Sequence, residues 1–430
     1  MVEDRFSNSA WFERATKSMP GGVSSPVRSF RSVGGTPYIV EHGKGAYVYD
    51  VEGKRYLDYV QSYGASILGH ADDDVVRATQ EALALGTTFG APTKPEIELA
   101  EEIVKRVKGV DLVRFVSSGT EAVMTAVRVA RAATHRKKVV VFEGCYHGHS
   151  DGLLATGGSG IATFGMPSTL GVTPEAVKET LVLPYNTVPT IDADVACVVV
   201  EPVAANMGVV LPNDGWLMSL KKSCDLVGAL LIFDEVITGF RLSRGGASSY
   251  FGIQPDLWCF GKIIGGGFPL AALAGRKDLM ELLAPAGPVY QAGTLSGNPI
   301  AATAGLKVLE KLDDKFYVDL TKKASLLKEG LESGIGQRGI AVRVPQVGPL
   351  LGIFFSDTPV TNFIQAKESC DTGRYKQFFN LLLKEKVALA PGPYEAMFLT
   401  SSHSDHDIAK TIESADSAAS KMAHLEAKQW

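Results

Sequence analysis

Between about residues 100 and 275, short apolar runs alternate with segments of helical periodicity. Several of these runs are continuously hydrophobic, as expected for strands that are covered on both faces of a sheet. The strand candidates are 112–116, 138–142, 195–200, 229–233, 257–260 and 270–274. The helix candidates include 120–134 and 216–227. The pattern predicts an α/β fold in which helices sandwich a large, mostly parallel sheet.

The N-terminal part of the chain is patterned differently. A short helix is predicted over 10–19. Strand-like pieces at 46–50 and 53–58 predict a hairpin with a tight turn at Glu52 and Gly53.

The C-terminal part mixes helices and strands. We expect a long helix over 296–312, a strand within 350–355 and a helix over 405–422. The expected division is an N-terminal segment 1–60, a large domain 61–308 and a C-terminal domain 309–430. A smaller α+β lobe is expected to form from both chain ends.

Composition narrows the class of protein. The chain has 430 residues, enough for two or three lobes around a large core. Hydrophobic residues make up 45% and charged residues 21%, which is typical of a soluble globular protein. The net charge of −4 offers no basic field, so nucleic acid is not an expected partner.

Cysteine usage indicates the redox compartment. The chain has five cysteines without CxxC spacing, which argues for a reducing compartment, and we expect a cytoplasmic location. The N-terminus has acidic residues and no apolar signal region, so no signal peptide is expected. Because no apolar run reaches about 18 residues, a spanning helix is not expected either.

Lys262 and Asp234 are the first candidates for chemistry. Lys262 lies in the glycine-rich segment GKIIGGG at 261–267, directly after a strand candidate, and Asp234 follows the strand candidate 229–233. Pyridoxal phosphate needs a lysine for its Schiff base and a carboxylate to pair with its pyridinium nitrogen. A lone glycine-rich lysine turn is more often a surface feature, but the aspartate at a buried strand end favours the cofactor.

The segment SSGTEA at 117–122 follows a strand candidate and opens a helix. Free backbone N–H groups and the helix dipole make such a position a phosphate site. The same residues also fit a helix cap with an acid in the first turn. The presence of Lys262 favours the phosphate site.

Tyr146 lies in GCYHGH at 144–149, after the strand candidate 138–142. The turn would aim this aromatic side chain into the crevice at the strand ends, where it could stack on a pyridine ring. His147 and His149 could suggest a metal, but no third ligand with metal spacing follows, and none is expected.

Three further segments carry polar groups with open roles. Glu201 ends the strand candidate 195–200, and Asn206 lies just beyond it. The side chain of Asn206 could reach a cofactor or cap a turn. The loop 290–299 could bind phosphate, form an interface or simply connect two elements. Arg28 offers a planar fork for a substrate carboxylate, although a surface arginine is the default interpretation.

Taken together, these segments resemble the pyridoxal-phosphate enzymes of fold type I, subgroup III, and more closely the glutamate-1-semialdehyde 2,1-aminomutase family. The resemblance covers nearly the whole chain. Its most specific segments are MPGGVSSPVRSF at 19–30, GTTFGAPT at 86–93, SSGTEA at 117–122, FEGCYHGHSD at 142–151, FDEVITGFR at 233–241, GKIIGGG at 261–267 and APAGPVYQAGTLSGNP at 284–299. It implies a fold type I PLP-dependent transferase with a large sheet domain and a smaller lobe.

The resemblance also implies an activity. A member of this family would be an isomerase that converts (S)-4-amino-5-oxopentanoate to 5-aminolevulinate in tetrapyrrole, or porphyrin, biosynthesis. Its cofactor would be pyridoxal 5′-phosphate and pyridoxamine 5′-phosphate, and it would act as a homodimer with shared active sites. The alternatives are an ω-aminotransferase with a separate amino donor and a pyridoxal-binding regulatory or storage protein.

Residue by residue, the resemblance makes Lys262 the Schiff-base lysine and the proton shuttle. The expected cofactor contacts are Ser118, Gly119, Thr120, Tyr146, Asn206, Asp234, Val236, Gly293 and Thr294. The expected substrate contacts are Ser25, Arg28, Tyr63, Ser159 and Glu395. Thr294 is expected to reach the phosphate of the neighbouring subunit. Residues 149–177 match a mobile gating loop of the family, and their glycine content alone also allows an ordered loop. The chain departs from the usual pattern of the family at Tyr63, where tryptophan is usual, and at Ala65 and Ala205.

Overall fold

The computed structural model describes residues 6–155, 169–188 and 190–427, with the side chains of the last two excepted. The strands of the described chain are β1 (Val40–Lys44), β2 (Tyr47–Asp50), β3 (Arg55–Asp58), β4 (Leu112–Val116), β5 (Lys138–Phe142), β6 (Thr180–Leu183), β7 (Val195–Val200), β8 (Leu230–Glu235), β9 (Leu257–Phe260), β10 (Ala271–Gly275), β11 (Gln346–Val347), β12 (Leu350–Leu351), β13 (Val387–Ala388) and β14 (Met397–Phe398). The α-helices are α1 (Asn8–Ser18), α2 (Asp73–Leu85), α3 (Lys94–Arg106), α4 (Gly119–Thr134), α5 (Pro174–Val177), α6 (Trp216–Val227), α7 (Gly246–Phe251), α8 (Lys277–Met280), α9 (Pro299–Glu310), α10 (Asp314–Gln337), α11 (Phe363–Asp371), α12 (Arg374–Lys384) and α13 (Asp405–Ala427).

The central sheet has the strand order β4-β10-β9-β8-β7-β5-β6. Strand β10 is antiparallel to both of its neighbours, and the pairs β9–β8, β8–β7, β7–β5 and β5–β6 are all parallel. The predicted mostly parallel sheet is therefore confirmed. Strand β6 was not predicted, because this short edge strand is only half-buried and its signal is weak.

Helices cover both faces of this sheet. In β5, Val140 and Phe142 pack in the core that includes Trp216 of α6, whereas Val139 and Val141 pack in the core that includes residues of α4. Successive side chains of a strand point to opposite faces, so each face has its own apolar set. This arrangement explains the continuously apolar runs, and all six residues of β7 are buried.

The smaller lobe joins the two chain ends. Strands β1, β2, β3 and β13 form one sheet, in which β13 is parallel to β3 and Val387 pairs with Leu57. The predicted hairpin is present, with Tyr49 opposite Arg55 and Gly53 at a φ of 77°. The expected origin of the smaller lobe from both chain ends is confirmed. Among the described residues, no helix is long and apolar enough to cross a membrane.

Two predicted elements are shorter than expected. The helix predicted over 296–312 runs only from Pro299 to Glu310, because the Asn298 side chain accepts hydrogen bonds from the next backbone N–H groups and caps the helix. The strand predicted over 350–355 ends at Leu351, and Phe354 makes only an isolated bridge with Arg343.

Helix α9 packs closely against the turn that carries Lys262. A Cβ atom added at Gly305 of α9 would overlap the carbonyl oxygen of Ile264. A Cβ at Gly266 would lie 2.6 Å from the carbonyl carbon of Ala304. The absence of a side chain at both positions allows the helix and the turn to approach each other.

This contact generates a stability prediction. Alanine usually stabilises a helix interior relative to glycine, by about 0.5–1 kcal/mol. At Gly305 the added methyl group has no room, so Gly305→Ala should destabilise the protein by about 1–3 kcal/mol, as overpacking typically does. Denaturant unfolding of wild type and variant measures the difference.

The matched control is Gly336→Ala in α10, because a Cβ atom at Gly336 would meet no atom within 4 Å. That variant should keep or raise the free energy of unfolding. A similar gain for both variants would show that the close approach at Gly305 does not constrain the fold.

Candidate active site

A cavity of about 740 Å³ lies where the carboxyl ends of β5, β7 and β8 meet residues from the N- and C-terminal parts of the chain. Its walls include the predicted residues Ser25, Arg28, Tyr63, Gly119, Thr120, Tyr146, Asn206, Asp234, Val236, Lys262 and Glu395. Eleven of the fifteen predicted site residues therefore line one cavity. Crevices at the carboxyl ends of parallel strands are the usual ligand sites of such sheets.

Lys262 begins the 3₁₀ turn Lys262–Gly265, directly after β9. Its φ of 46° lies in the left-handed region, which non-glycine residues seldom occupy and which is typical of functional sites. The amine forms no salt bridge with any described residue. Burial lowers the pKa of Lys262, while the carboxylates of Asp234 and Glu395 oppose that shift. The amine is therefore more easily deprotonated than an exposed lysine.

Asp234 is held rigidly at the floor of the cavity. This side chain is only 6% exposed, and its Oδ2 lies 2.8 Å from Nδ1 of His147. Its Oδ1 accepts a hydrogen bond of 3.1 Å from the backbone N–H of Val236. The histidine identified as a possible metal ligand thus serves as the partner of the strand-end carboxylate.

Glu201 orients two predicted cofactor residues with one buried carboxylate. Its Oε1 accepts a hydrogen bond of 2.8 Å from the backbone N–H of Tyr146. Its Oε2 accepts from the backbone N–H of Ala205 at 3.0 Å and from Nδ2 of Asn206 at 2.9 Å. Burial, reinforced by the charge of Asp234, raises the pKa of Glu201 to about 7. The sequence marked Glu201 as the end of a strand but did not assign it to the site.

The N-terminus of α4 faces the cavity through Gly119 and Thr120. Ser118 does not line it, because its hydroxyl accepts from the backbone N–H of Glu121 at 3.3 Å and caps the helix. The carboxylate of Glu121 accepts in return from the backbone N–H of Ser117 and Ser118. The helix cap that the sequence left open is thus present, and it leaves the next two residues to face an anion.

Two glycines shape this anion-binding corner. A Cβ atom at Gly119 would lie 2.9 Å from Cγ2 of Val236. A Cβ at Gly148, whose φ is 87°, would lie 2.5 Å from Oγ1 of Thr120. The same Oγ1 lies 3.2 Å from Nδ1 of His149. The absence of side chains at these two glycines therefore allows the segments that form this corner to pack closely against one another.

The opposite end of the cavity comes from the chain ends. Arg28 lies in the 3₁₀ turn Pro26–Ser29, and no described carboxylate pairs with its guanidinium. Burial, with a smaller contribution from the negative charge of Glu395, raises the pKa of Tyr63. Phe398 adds an apolar wall that the sequence did not predict.

Some predicted residues are placed elsewhere. Gly293 and Thr294 are exposed and do not line the cavity within one chain. Ser159 lies outside the described residues, as does part of the expected gating loop 149–177. Within the described ranges, no cluster of three or more His, Cys, Asp or Glu residues could hold a metal ion.

The donor set fits pyridoxal phosphate. Lys262 supplies an amine that forms no ion pair with the part of the chain that the structure describes, and Asp234 supplies a fixed carboxylate. Tyr146 and Val236 supply an aromatic and an aliphatic wall, and the N-terminus of α4 offers an anion site without a side chain at Gly119. These are the groups that bind an aldehyde, a pyridinium, a flat ring and a phosphate.

Sequence comparisons agree with this fit. Residues 30–389 match the family model of class-III aminotransferases. The chain is 51% identical to a glutamate-1-semialdehyde 2,1-aminomutase of Roseiflexus castenholzii over 96% of its length and 97% of the relative. It is 49% identical to the enzyme of the same name from Desulforudis audaxviator, over 97% of its length and 98% of the relative.

Solved structures show the same fold. An omega-transaminase from Sphaerobacter thermophilus superimposes with a TM-score of 0.88 at 30% identity, covering 97% of this chain and 98% of that one. A transaminase solved with PLP bound superimposes with a TM-score of 0.86 at 28% identity, and the match covers 99% of each chain.

The raised pKa of Glu201 generates a prediction on pH and stability. An exposed glutamate titrates near 4.5, whereas Glu201 titrates near 7 in the folded protein. The folded state therefore holds this proton more tightly than the unfolded chain does. The resulting stabilisation is present in full below pH 4.5 and is lost as pH rises through about 7.

Glutamine at this position has no such proton to lose. Relative to Glu201→Gln, the wild-type protein should therefore lose on the order of 3 kcal/mol between pH 4.5 and 8. Denaturant unfolding across that range, without bound ligand, measures the change. Glu329→Gln on an exposed face of α10 is the control for the loss of a carboxylate, measured in the same way. A flat difference for Glu201→Gln would contradict the raised pKa.

Proposed function

Because the chain belongs to the class-III aminotransferase family and, within it, to the glutamate-1-semialdehyde 2,1-aminomutases, we propose that it converts (S)-4-amino-5-oxopentanoate to 5-aminolevulinate. The reaction moves an amino group within one molecule, so the enzyme is an isomerase, and its product is a precursor of tetrapyrroles such as porphyrins. The observation that carries this conclusion is 51% identity over 96% of the chain to a relative of that name. The cavity described above agrees with it.

The cofactor is pyridoxal 5′-phosphate together with its pyridoxamine form. When bound, it supplies an aldehyde or amine that exchanges with the substrate and a ring that withdraws electrons. We assign Lys262 to its aldehyde carbon, Asp234 to its ring nitrogen and the N-terminus of α4 to its phosphate. Tyr146 and Val236 would then lie against opposite faces of the ring, and Asn206 near its phenolic oxygen. The placement of all six groups on one cavity supports this assignment.

Lys262 is the proposed proton carrier. Burial lowers the pKa of its amine, so this amine gives up its proton more readily than an exposed lysine does, and its neutral form can accept a proton from a substrate carbon. The absence of a salt bridge to any described residue leaves Nζ able to swing between neighbouring carbons. Asp234 and Glu395 favour the protonated form, so the same amine can return the proton. One group can thus serve both directions of transfer.

Arg28 is the proposed contact for the substrate carboxylate. Among the described residues that line the cavity, Arg28 and Lys262 are the only arginine and lysine. A dicarboxylic amino donor such as glutamate would need anchors for two carboxylates, whereas the semialdehyde has one. Clamping that one end fixes which carbon meets the cofactor. Ser25, Tyr63, Glu395 and Ser159 remain the other proposed substrate contacts.

We also propose a homodimer with shared sites. Apolar side chains stand exposed on one region of the surface, and Asn298 links two loops of this region by donating to the carbonyl of Thr87. The exposed apolar residues are Leu85, Phe89, Ile97, Tyr290 and Leu295. Exposed apolar side chains on neighbouring loops are typical of protein–protein contacts. Gly293 and Thr294 lie in the loop that would cross to the partner's phosphate site.

The remaining assignments are broader. We propose a cytoplasmic location, supported by five cysteines, all within described residues, that form no disulfide. We propose a division into the segments 1–60, 61–308 and 309–430. The sheet that β3 and β13 share supports this division only in part, because it joins the first and the last segment.

A product assay with an arginine variant tests the proposed function. The purified enzyme in its pyridoxamine form should make 5-aminolevulinate from the semialdehyde with no added amino donor. Arg28 is exposed, so Arg28→Ala should weaken substrate use by about 1.5–3 kcal/mol, the usual contribution of hydrogen bonds to a charged group. Arg28→Lys should recover only part of that loss, because lysine lacks the bidentate fork. Product is measured by chromatography.

The cofactor absorbance should remain unchanged in both arginine variants, and Lys262→Ala serves as the inactive blank. Product that forms only when a second amine is added would identify an ω-aminotransferase instead. Normal use of the semialdehyde by Arg28→Ala would place the carboxylate site elsewhere in the cavity.

Subunit mixing tests the shared site. Lys262→Ala removes the amine, and Thr294→Glu places a negative charge where the partner's phosphate is expected, so each homodimer should be inactive. In a mixed dimer, one of the two sites combines a wild-type Lys262 with a wild-type Thr294. Random exchange should therefore restore about a quarter of the parental activity.

Thr294→Ser is the matched control for the loop and should stay active alone. Native mass spectrometry establishes that subunits have exchanged. An active Thr294→Glu homodimer, or no recovery after verified exchange, would contradict the shared site.

A further inference from the structure

A left-handed turn lies at the substrate end of the cavity. Gln61, Ser62 and Tyr63 have φ values of 44°, 55° and 54°, and Gly64 follows at 92°. Three consecutive non-glycine residues in this region are rare, and such strain persists only where the surroundings over-determine it. Ser62 and Tyr63 both line the cavity. The turn is therefore a strained element that presents side chains to the substrate.

One end of the turn is fixed by Asp58, the last residue of β3. Its carboxylate accepts hydrogen bonds from the backbone N–H of Val60 at 2.8 Å and of Gln61 at 3.1 Å. The same carboxylate lies 2.7 Å from Nε2 of His70. These contacts anchor the entrance of the turn to the sheet of the smaller lobe.

The other end is fixed by Arg241. Its Nη2 donates to the carbonyl oxygen of Gly64, and its Nε donates to the carbonyl oxygen of Ile237 at 2.9 Å. The centre of the guanidinium lies 4.8 Å from the ring centroid of Phe398. Ile237 and Phe398 are themselves walls of the cavity. The side chain of Arg241 thus contacts three parts of the chain at once: the turn, the segment after β8 and the cavity wall formed by Phe398.

Arg241 is an unusual residue to find in this place. It is 1% exposed and forms no salt bridge with any described residue. Burying a charge without a charged partner is unfavourable, and here burial lowers the pKa of Arg241 to about 9. A hydrophobic side chain would fill the same space without that penalty. The planar guanidinium of arginine donates to two carbonyl oxygens at once, which neither an aliphatic side chain nor the single nitrogen of lysine reproduces.

We propose that Arg241 is a positioning residue for substrate specificity, which acts by holding the turn 61–64 so that Tyr63 meets the carboxylate-bearing end of the substrate. The proposal rests on the proposed function, because it assigns that end of the cavity to the substrate. Arg241 does not line the cavity, so its action passes through the turn and Phe398 rather than through contact with the substrate.

The positive charge of Arg241 has a second, separable effect. It helps to lower the pKa of Lys262, behind the larger effect of burial. Lysine is the conservative replacement at position 241, but its single nitrogen lacks the planar fork that reaches both carbonyls. The charge at position 241 acts on Lys262 whether or not the side chain of Tyr63 is present, so a change in substrate binding that disappears in the Tyr63→Ala background reports the turn, and not the charge.

The test is a double-mutant cycle with Arg241→Lys and Tyr63→Ala. Arg241→Lys should lower kcat/KM by roughly 10- to 100-fold, mainly through KM, as misplacement of a substrate-orienting group does. It should raise the dissociation constant of pentanoate, an unreactive five-carbon carboxylate, measured by calorimetry on the holoenzyme. In the Tyr63→Ala background the same change should have little further effect, because the side chain that it positions is absent.

Several outcomes would overturn the proposal. Equal effects of Arg241→Lys in both backgrounds would indicate a general role in stability, and unchanged pentanoate binding would show that the turn does not depend on Arg241. If lysine is not tolerated in this buried site, Arg241→Gln takes its place in the cycle. Because glutamine also removes the charge, only the difference between its effects in the two Tyr63 backgrounds then reports the turn. Pentanoate binding requires no turnover, so the cycle remains informative even if the enzyme proves to need a separate amino donor.

Discussion

The site depends on keeping one amine buried without a salt bridge. Lys262 sits close to the carboxylates of Asp234 and Glu395 but pairs with neither within the described chain, and burial outweighs their attraction in setting the direction of its pKa. Burial and the positive charge of Arg241 therefore favour the neutral amine, and the carboxylates of Asp234 and Glu395 favour the protonated one. The left-handed backbone at Lys262 and the close packing of α9 follow from this requirement, because they hold the amine at the strand ends.

The two ends of the cavity have different structural origins. The groups suited to a cofactor lie on the strand ends and helix start of the central sheet, where regular hydrogen bonding fixes them. The groups suited to a substrate come from loops of both chain ends, and they are held by side-chain anchors such as Asp58 and Arg241. A rigid sheet can therefore keep the chemistry constant while loop residues such as Tyr63 set the fit of the substrate.

Sequence patterns predicted what depends on local order. The continuously apolar run of β7 marks a strand because both of its faces are buried, and Lys262 and Asp234 stand out because each follows such a run. The single cap of Asn298 shortened one helix, which periodicity alone does not detect.

Tertiary contacts were harder to predict. The capping of α4 by Ser118 competes with a ligand for the same hydroxyl, and sequence alone cannot decide between the two. The role of Arg241 depends on three elements that are distant along the chain, and the left-handed turn contains ordinary residue types. The role of Arg241 and the left-handed turn therefore leave no signal in the local sequence.

The parallel pairing of β13 with β3 bears on how the protein is made. Val387 pairs with Leu57, so this ladder closes across more than three-quarters of the chain. During synthesis on the ribosome, the strands of the central sheet emerge long before the segment that completes the smaller lobe, and domains generally form in that order. A nascent chain can thus assemble its lysine and strand-end carboxylate early, while the wall containing Glu395 and Phe398 arrives last. Selectivity for the substrate is in this sense the final property that the growing polypeptide acquires.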